Sequence, residues 1–357
     1  MTNFAHFANE LAETGFVPDA LVRKGIQRLV AERKSRIAEH DSRDLDAFVY
    51  MMNRSNIALV PELANEQHYE VPATFFEEAL GKHRKYSCCY WSDGAQNLDQ
   101  AEEAALRLSC ERAALEDDFD ILELGCGWGS LSLWMAGQYP HARVTSVSNS
   151  SSQKTYIDGQ AKKRGLANLR VITADMNEFD TDQTFDRVVS IEMFEHMRNY
   201  SLLFERISRW LRPDGHFFMH IFCHRSAAYE YVDQGPSDWM SRHFFSGGIM
   251  PSGDLPQRFQ DHLQVVDQWR WSGREYQKTA EAWLRNMDDR KARAFPVIAH
   301  TYGEKNARRW WQRWRIFFLA VSEMFGTDDG REWGVGHYLL SNKAAAGGLG
   351  EKIESAD

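Results

Sequence analysis

From residue 121 onward the chain alternates short apolar runs with stretches of helical period. The runs fall at residues 121–124, 144–147, 169–173, 187–191 and 216–222. Strands that recur with helices between them predict an α/β fold: a parallel sheet covered by helices, so that each strand is apolar on both faces. Another apolar run, Val335-Gly336-His337-Tyr338-Leu339-Leu340, follows a long helical stretch and suits a late strand closing the same sheet. Residues 1–80 lack alternating strand patterns and read as a helical lead-in to a domain spanning 81–343. Between about 223 and 300 aromatic residues are dense, among them Trp239, Phe244, Phe245, Trp269, Trp271, Tyr276 and Trp283, and this stretch reads as a cap over a substrate site. Aromatic residues at such spacings also serve as packed core. The segment 344–357 is expected to fray.

Composition narrows the function classes. With 43% hydrophobic and 26% charged residues in 357, the chain is an ordinary globular protein. Its net charge of -9 argues against general affinity for nucleic acid or anionic membranes. The helix read at 21–37 does carry a basic face, with Arg23, Lys24, Arg28, Arg33, Lys34 and Arg36, and the run Arg308-Arg309-Trp310-Trp311-Gln312-Arg313-Trp314-Arg315 alternates basic and aromatic residues. The first is readable as a contact to anionic lipid or as a solvated face, the commoner fate of such runs, and the second as a membrane-surface segment or as a helix docked on the cap. Five cysteines without zinc-finger or disulfide-scaffold spacing suggest reduced thiols and a cytoplasmic protein. The first twenty residues lack the apolar run of a signal peptide, and no apolar run reaches membrane-spanning length.

The chemistry gathers at two places. The run Ile121-Leu-Glu123-Leu-Gly125-Cys-Gly127-Trp-Gly129 puts closely spaced glycines between a buried strand and a helix starting near Ser130, where backbone can approach a ligand. It lacks the Gly-Lys-Ser/Thr ending of a nucleotide-phosphate loop and the spacing of a dinucleotide fingerprint. After the fourth strand, Glu192-Met193-Phe194-Glu195-His196 brings two carboxylates and an imidazole to the carboxyl edge of the sheet, where open α/β sheets bind ligands. Such groups suit an amine, which carboxylates hold as a cation and a base must deprotonate before it attacks an electrophile. They also suit the start of a helix, whose dipole favours acids. His220, Cys223 and His224 are close in sequence, but on a strand 223 faces away from 220 and 224, so no metal site is expected.

The glycine loop resembles the first motif of class I S-adenosylmethionine-dependent methyltransferases. Together with Tyr86-Ser87-Cys88-Cys89-Tyr90-Trp91, Glu192-Met-Phe-Glu195-His196-Met197 and His220-Ile-Phe-Cys-His224 it resembles the family of the coclaurine N-methyltransferases and cyclopropane fatty acid synthases, over residues 80 to 340. That resemblance implies a Rossmann-like, mostly parallel sheet with a late antiparallel strand. It implies S-adenosylmethionine as cofactor, held by Tyr86, Ser87, Glu123, Gly125, Gly127 and Gly129, with Asn149 and Gln153 near the ribose and Asp175 and Met176 near adenine. Asn149 stands where many relatives place an acid, and Asp175 also suits the cap of a turn. By the same resemblance Glu192, Glu195 and His196 bind and deprotonate an amine. The synthases usually carry glycine at the first of these positions, so Glu192 tilts the reading toward a small-molecule amine. The alternative is methyl transfer to an unsaturated phospholipid, in which Cys88, Glu195, His220 and Tyr276 would hold bicarbonate. A homodimer is also in keeping with the family.

Overall fold

The computed structural model describes residues 2–39, 42–59, 71–235 and 238–343. The tail expected to fray lies outside them. Among the described residues the helices α1 (Thr2–Glu13), α2 (Asp19–Ala38), α3 (Ser42–Met52) and α4 (Ala73–Ala79) come first, and then α5 (Leu98–Arg112), which leads into the sheet. The strands and helices that follow are β1 (Asp120–Leu124), α6 (Ser130–Gln138), β2 (Arg143–Ser148), α7 (Ser151–Arg164), β3 (Leu169–Thr173), β4 (Phe185–Ile191), α8 (Tyr200–Trp210) and β5 (Leu211–His224). A two-stranded ribbon of β6 (Tyr229–Glu230) and β7 (Ile249–Met250) flanks the short α9 (Trp239–His243). The chain closes with β8 (Leu263–Ser272), α10 (Gly273–Asp289), α11 (Lys291–Tyr302), α12 (Glu304–Gly326) and β9 (Trp333–Asn342).

Seven strands form one sheet in the order β3-β2-β1-β4-β5-β9-β8. The first five pair in parallel, and β9 runs antiparallel to both of its neighbours, so β8 points the same way as β5. The late antiparallel strand is therefore present, inserted one place in from the edge. The edge itself is β8, which the sequence reading had assigned to the cap. Its exposure explains the difference: most of its residues are half-buried or exposed, and it lacks the continuous apolar run that marks the central strands.

Burial follows the two-residue period. Ile121, Val144, Val189 and Phe218 join Leu106 and Cys110 of α5 and Leu131 and Met135 of α6 in one core. Their neighbours Leu122, Val147, Val188 and Phe217 join Leu203, Phe204 and Ile207 of α8 on the opposite face. Side-chain caps start the helices that flank the site: Ser150 accepts from Gln153 N–H at α7, Asn199 from Leu202 N–H at α8 and Ser272 from Arg274 N–H at α10. The largest core lies over the β5-β9-β8 end, where Trp283, Trp314, Phe318 and Trp333 pack with Phe75 and Phe76 of α4. Of the aromatic residues read as a cap, Trp239, Phe244, Trp271, Tyr276 and Trp283 are members of this core, and Phe245 packs against it.

Candidate active site

The carboxyl ends of β1, β2 and β4 open into a cleft of about 730 Å³, and a neighbouring cavity of about 610 Å³ shares Gly125, Gly127 and Glu192 with it. The glycine loop is the floor of both. Gly125 and Cys126 donate their N–H groups to Val147 O at 3.0 Å, which folds the loop over the end of β2. Gly125 has φ +78°, and a Cβ there would lie 2.7 Å from Met193 Cβ; Gly129 has φ +77° and would place a Cβ 2.6 Å from Ile157 Cγ1. Both positions need glycine twice over, for backbone conformation and for space. Glu123 lies beneath the loop, accepting from Ser146 Oγ at 2.8 Å and from Ser132 Oγ, and burial raises its pKa to about 7.

Residues expected around the cofactor divide between the two cavities. Asn149, Gln153, Asp175 and Met176 line the larger, and Tyr86, Ser87 and Glu123 the smaller. Gly129 lines neither; it is the left-handed residue from which α6 starts. Gln153 Oε1 accepts from Ser148 Oγ at 2.6 Å, while its buried Nε2 has no hydrogen-bond partner among the described residues. Asp175 accepts from Asn177 N–H at 2.8 Å as a turn cap and also lines the larger cleft. Segment 85–92 is held by buried groups. Lys85 Nζ donates to Ser87 Oγ and Cys88 O at 2.6 Å, Cys89 N–H meets Thr279 Oγ1 at 3.1 Å, and Trp91 N–H meets Glu275 of α10.

Glu192 leaves the end of β4 with φ +48°. Its Oε1 accepts from Cys88 N–H at 2.9 Å and lies 3.1 Å from His220 Nε2, and its Oε2 accepts from Tyr276 Oη at 2.7 Å. Burial raises the pKa of Glu192, opposed by the charge of Lys85. Tyr276 is held well above the usual phenol range by burial and by Glu192, so it keeps its proton and donates. His196, on the single turn at Phe194–His196, faces the same cleft with its ring 4.7 Å from that of Phe245; burial lowers its pKa to about 4, so it is neutral at physiological pH.

Glu195 is placed differently from Glu192. It lines neither cavity, is wholly buried, and its Oε1 accepts from Phe222 N–H at 2.6 Å. Burial and the nearby Glu192 push its pKa well up, which favours the neutral acid. His220 and Tyr276 also lie behind the cleft wall and reach it through Glu192. The nearby histidine and cysteine diverge: His224 Nε2 meets Glu332 Oε1 at 3.0 Å, and Cys223 Sγ lies 3.8 Å from Arg270 Nη1. Lys85, His337 and Arg112 belong to the same cluster and were not singled out by sequence reasoning. His337 was read only as part of an apolar strand, because its partner depends on strand register.

A sheet of this order, with a glycine loop after its first strand and an acid-rich turn after its fourth, is that of a class I S-adenosylmethionine-dependent methyltransferase. The crystal structure of coclaurine N-methyltransferase bound to N-methylheliamine and SAH superposes with a TM-score of 0.90 at 35% identity, covering 94% of this chain and 98% of that one. The family model for mycolic acid cyclopropane synthetase matches residues 61–328. (S)-coclaurine N-methyltransferase of Thalictrum flavum subsp. glaucum is 37% identical over 340 residues, 93% of this chain and 94% of that protein. Cyclopropane-fatty-acyl-phospholipid synthase of Escherichia coli K12 is 31% identical over 249 residues, 69% of this chain and 61% of that protein. The chain belongs to this family of coclaurine N-methyltransferases and cyclopropane synthases, and its cofactor is S-adenosylmethionine.

Proposed function

We propose that the enzyme methylates the nitrogen of a small amine, with Glu192 and His196 at the acceptor. The observation that carries this reading is the hydrogen-bonding of Glu192. In the synthases the counterparts of Cys88, His220 and Tyr276 are assigned to bicarbonate; here Cys88 N–H, His220 Nε2 and Tyr276 Oη all meet one fixed carboxylate. A tethered anion replaces a dissociable one, and it stands where a cationic amine is attracted rather than an alkene.

The cofactor fits the residues present, since the glycine floor admits close approach and Gln153 Nε2 offers a buried donor in the larger cavity. We assign Asn149 and Gln153 to its ribose, Asp175 and Met176 to adenine, and Tyr86, Ser87, Glu123, Gly125 and Gly127 to its methionine portion, with Gly129 shaping the loop. When bound it supplies an electrophilic methyl group on sulfonium. Glu192 holds the protonated amine by a charge-assisted hydrogen bond, and His196, neutral at pH 7, takes the proton that frees the nitrogen lone pair. Glu195, as a neutral acid, braces the His196 turn against β5 without placing a second anion beside Glu192.

Pairing within the protein supports the reading of the 308–315 run as a docked helix, and part of the 21–37 face, expected to be solvated, is docked as well. Arg23 meets Glu281 and Glu323, Lys34 meets Asp328, and Arg313 meets Glu13. No helix among the described residues is long and apolar enough to cross a membrane. We place the enzyme in the cytoplasm as a homodimer, for which light scattering of the purified protein is the check. The functional test is bicarbonate dependence: amine turnover should be equal in bicarbonate-depleted and bicarbonate-supplied buffer, and a requirement for bicarbonate would return the enzyme to the lipid reading.

A further inference from the structure

Behind Glu192 a line of side chains runs across the strands of the sheet toward its β8 edge. Register puts it there: His220 of β5 pairs with His337 of β9, and His337 pairs with Trp269 of β8, so these residues form one row on one face. His220 Nδ1 lies 2.9 Å from His337 Nε2, and His337 Nδ1 lies 2.8 Å from Arg112 Nη1, at the end of α5. The guanidinium is itself fixed, 5.0 Å from the Trp269 ring and 5.8 Å from that of Trp271.

The direction of this chain follows from its donors. A guanidinium has only donors, so the Nδ1 of His337 must accept. A neutral imidazole that accepts at Nδ1 carries its proton on Nε2, and His337 therefore donates to His220 Nδ1. By the same rule His220 carries its proton on Nε2 and donates to Glu192 Oε1. Protonating either ring is opposed by full burial and by the cations that face the pair, Arg112 and Lys85. Arg112 in turn faces Glu111, Asp267 and Tyr90, and Glu192 faces Lys85, Cys88, Tyr276, His196 and Glu195.

We propose that Arg112 and His337 are positioning residues: they fix the tautomer of His220 so that an N–H, and never a lone pair, meets the carboxylate that holds the acceptor. The inference rests on the amine reading for its kinetic consequence but not for its structural one. Without the anchor at Arg112, His337 can carry its proton on Nδ1 and His220 can follow. A lone pair then faces Glu192 Oε1, and the carboxylate form is disfavoured.

The first arm of the test needs no turnover. Nitrogen-15 NMR of histidine-labelled protein, assigned with His→Gln variants, should show His220 and His337 neutral with protons on Nε2 between pH 6 and 8. A proton on Nδ1 of either ring, or an imidazolium, would overturn the proposal. In the second arm, Arg112→Met, a change at a half-buried helix end, should mix the tautomers, move the acid limb of kcat/KM for the amine upward by about one pH unit, and leave the Kd for S-adenosylmethionine unchanged. Arg112→Lys, which keeps a donor, should restore the limb. His337→Gln, which can accept from Arg112 and donate to His220, should retain it as well, whereas His337→Leu should not. An unmoved limb and unmixed tautomers in Arg112→Met would refute the role of Arg112. Should no amine be methylated, the NMR arm still reads the chain, so failure of the amine reading and failure of this one are distinguishable.

Discussion

Glu192 sits with φ +48°, a conformation that costs a non-glycine residue roughly 1–2 kcal/mol, at a position where the synthases usually carry glycine. Strain kept at a carboxylate that meets three hydrogen-bonding groups is what a functional placement looks like. Glu192→Gln should lower kcat for the amine by about a hundredfold while leaving cofactor affinity within about twofold, since the charge that holds the ammonium beside the base is lost and the fold is not. A variant with wild-type kcat would remove Glu192 from the acceptor site. His196 supplies a pH dependence whose sign is fixed by its lowered pKa. The unfolded chain binds a proton near pH 6.5 and the folded one only near 4, so its contribution to stability is present above 6.5 and is lost as pH falls through that window. Its ring still meets the cleft, so the stability difference between wild type and His196→Gln should shrink by about 2 kcal/mol between pH 7 and pH 4, measured by denaturant unfolding. A difference that stays flat would mean that the imidazole is solvated in the folded state. At this scale the meeting of Glu192 and His196 at one cleft was legible, because both lie on the short turn that leaves β4. His337 and Arg112 were not, since their roles arise from cross-strand register and from a helix end 225 residues away in sequence.

At the scale of elements, the glycine loop is the most sequence-determined feature. Gly129 is both the left-handed start of α6 and in contact range of Ile157 on α7, so Gly129→Ala should destabilise the protein by about 2–3 kcal/mol and weaken S-adenosylmethionine binding. Thermal melts with and without cofactor read both effects; unchanged stability would show that the loop has room the structure does not give it. The central strands were readable because burial on both faces makes their sequences continuously apolar, as in Leu122 and Val188 on one face and Ile121 and Val189 on the other. β8 was not, because an edge strand carrying Asp267 and Gln268 toward solvent shares its composition with a loop, and its Trp269 and Trp271 drew attention as cap aromatics instead. β9 was legible as a strand, yet only pairing shows that it lies between β5 and β8.

Across the whole molecule, the N-terminal helices are locked onto the long helix that precedes β9. Arg315 of α12 is bidentate to Asp19 at 2.9 and 2.7 Å and also meets Asp288, and Arg23 of α2 bridges Glu281 and Glu323. Because these guanidinium groups are largely covered, the double variant Arg23→Met with Arg315→Met should lose about 2 kcal/mol of stability, less so at high salt. A loss below 0.5 kcal/mol (roughly the noise of such pairs) would show that apolar packing alone holds the helices. The lead-in thus braces α10 and α12, and α10 in turn supplies Tyr276 to Glu192 and Thr279 and Glu275 to segment 89–92.

In the proposed function, a fixed carboxylate on a methyltransferase scaffold selects an amine. The most direct measurement supplies purified enzyme with methyl-labelled S-adenosylmethionine and, in parallel, a panel of primary and secondary amines and a dispersion of unsaturated phospholipid. The expected result is label on amine nitrogen, unaffected by bicarbonate and lost in Glu192→Gln. Label in the acyl chains of the lipid, with the amines unmodified, would contradict it.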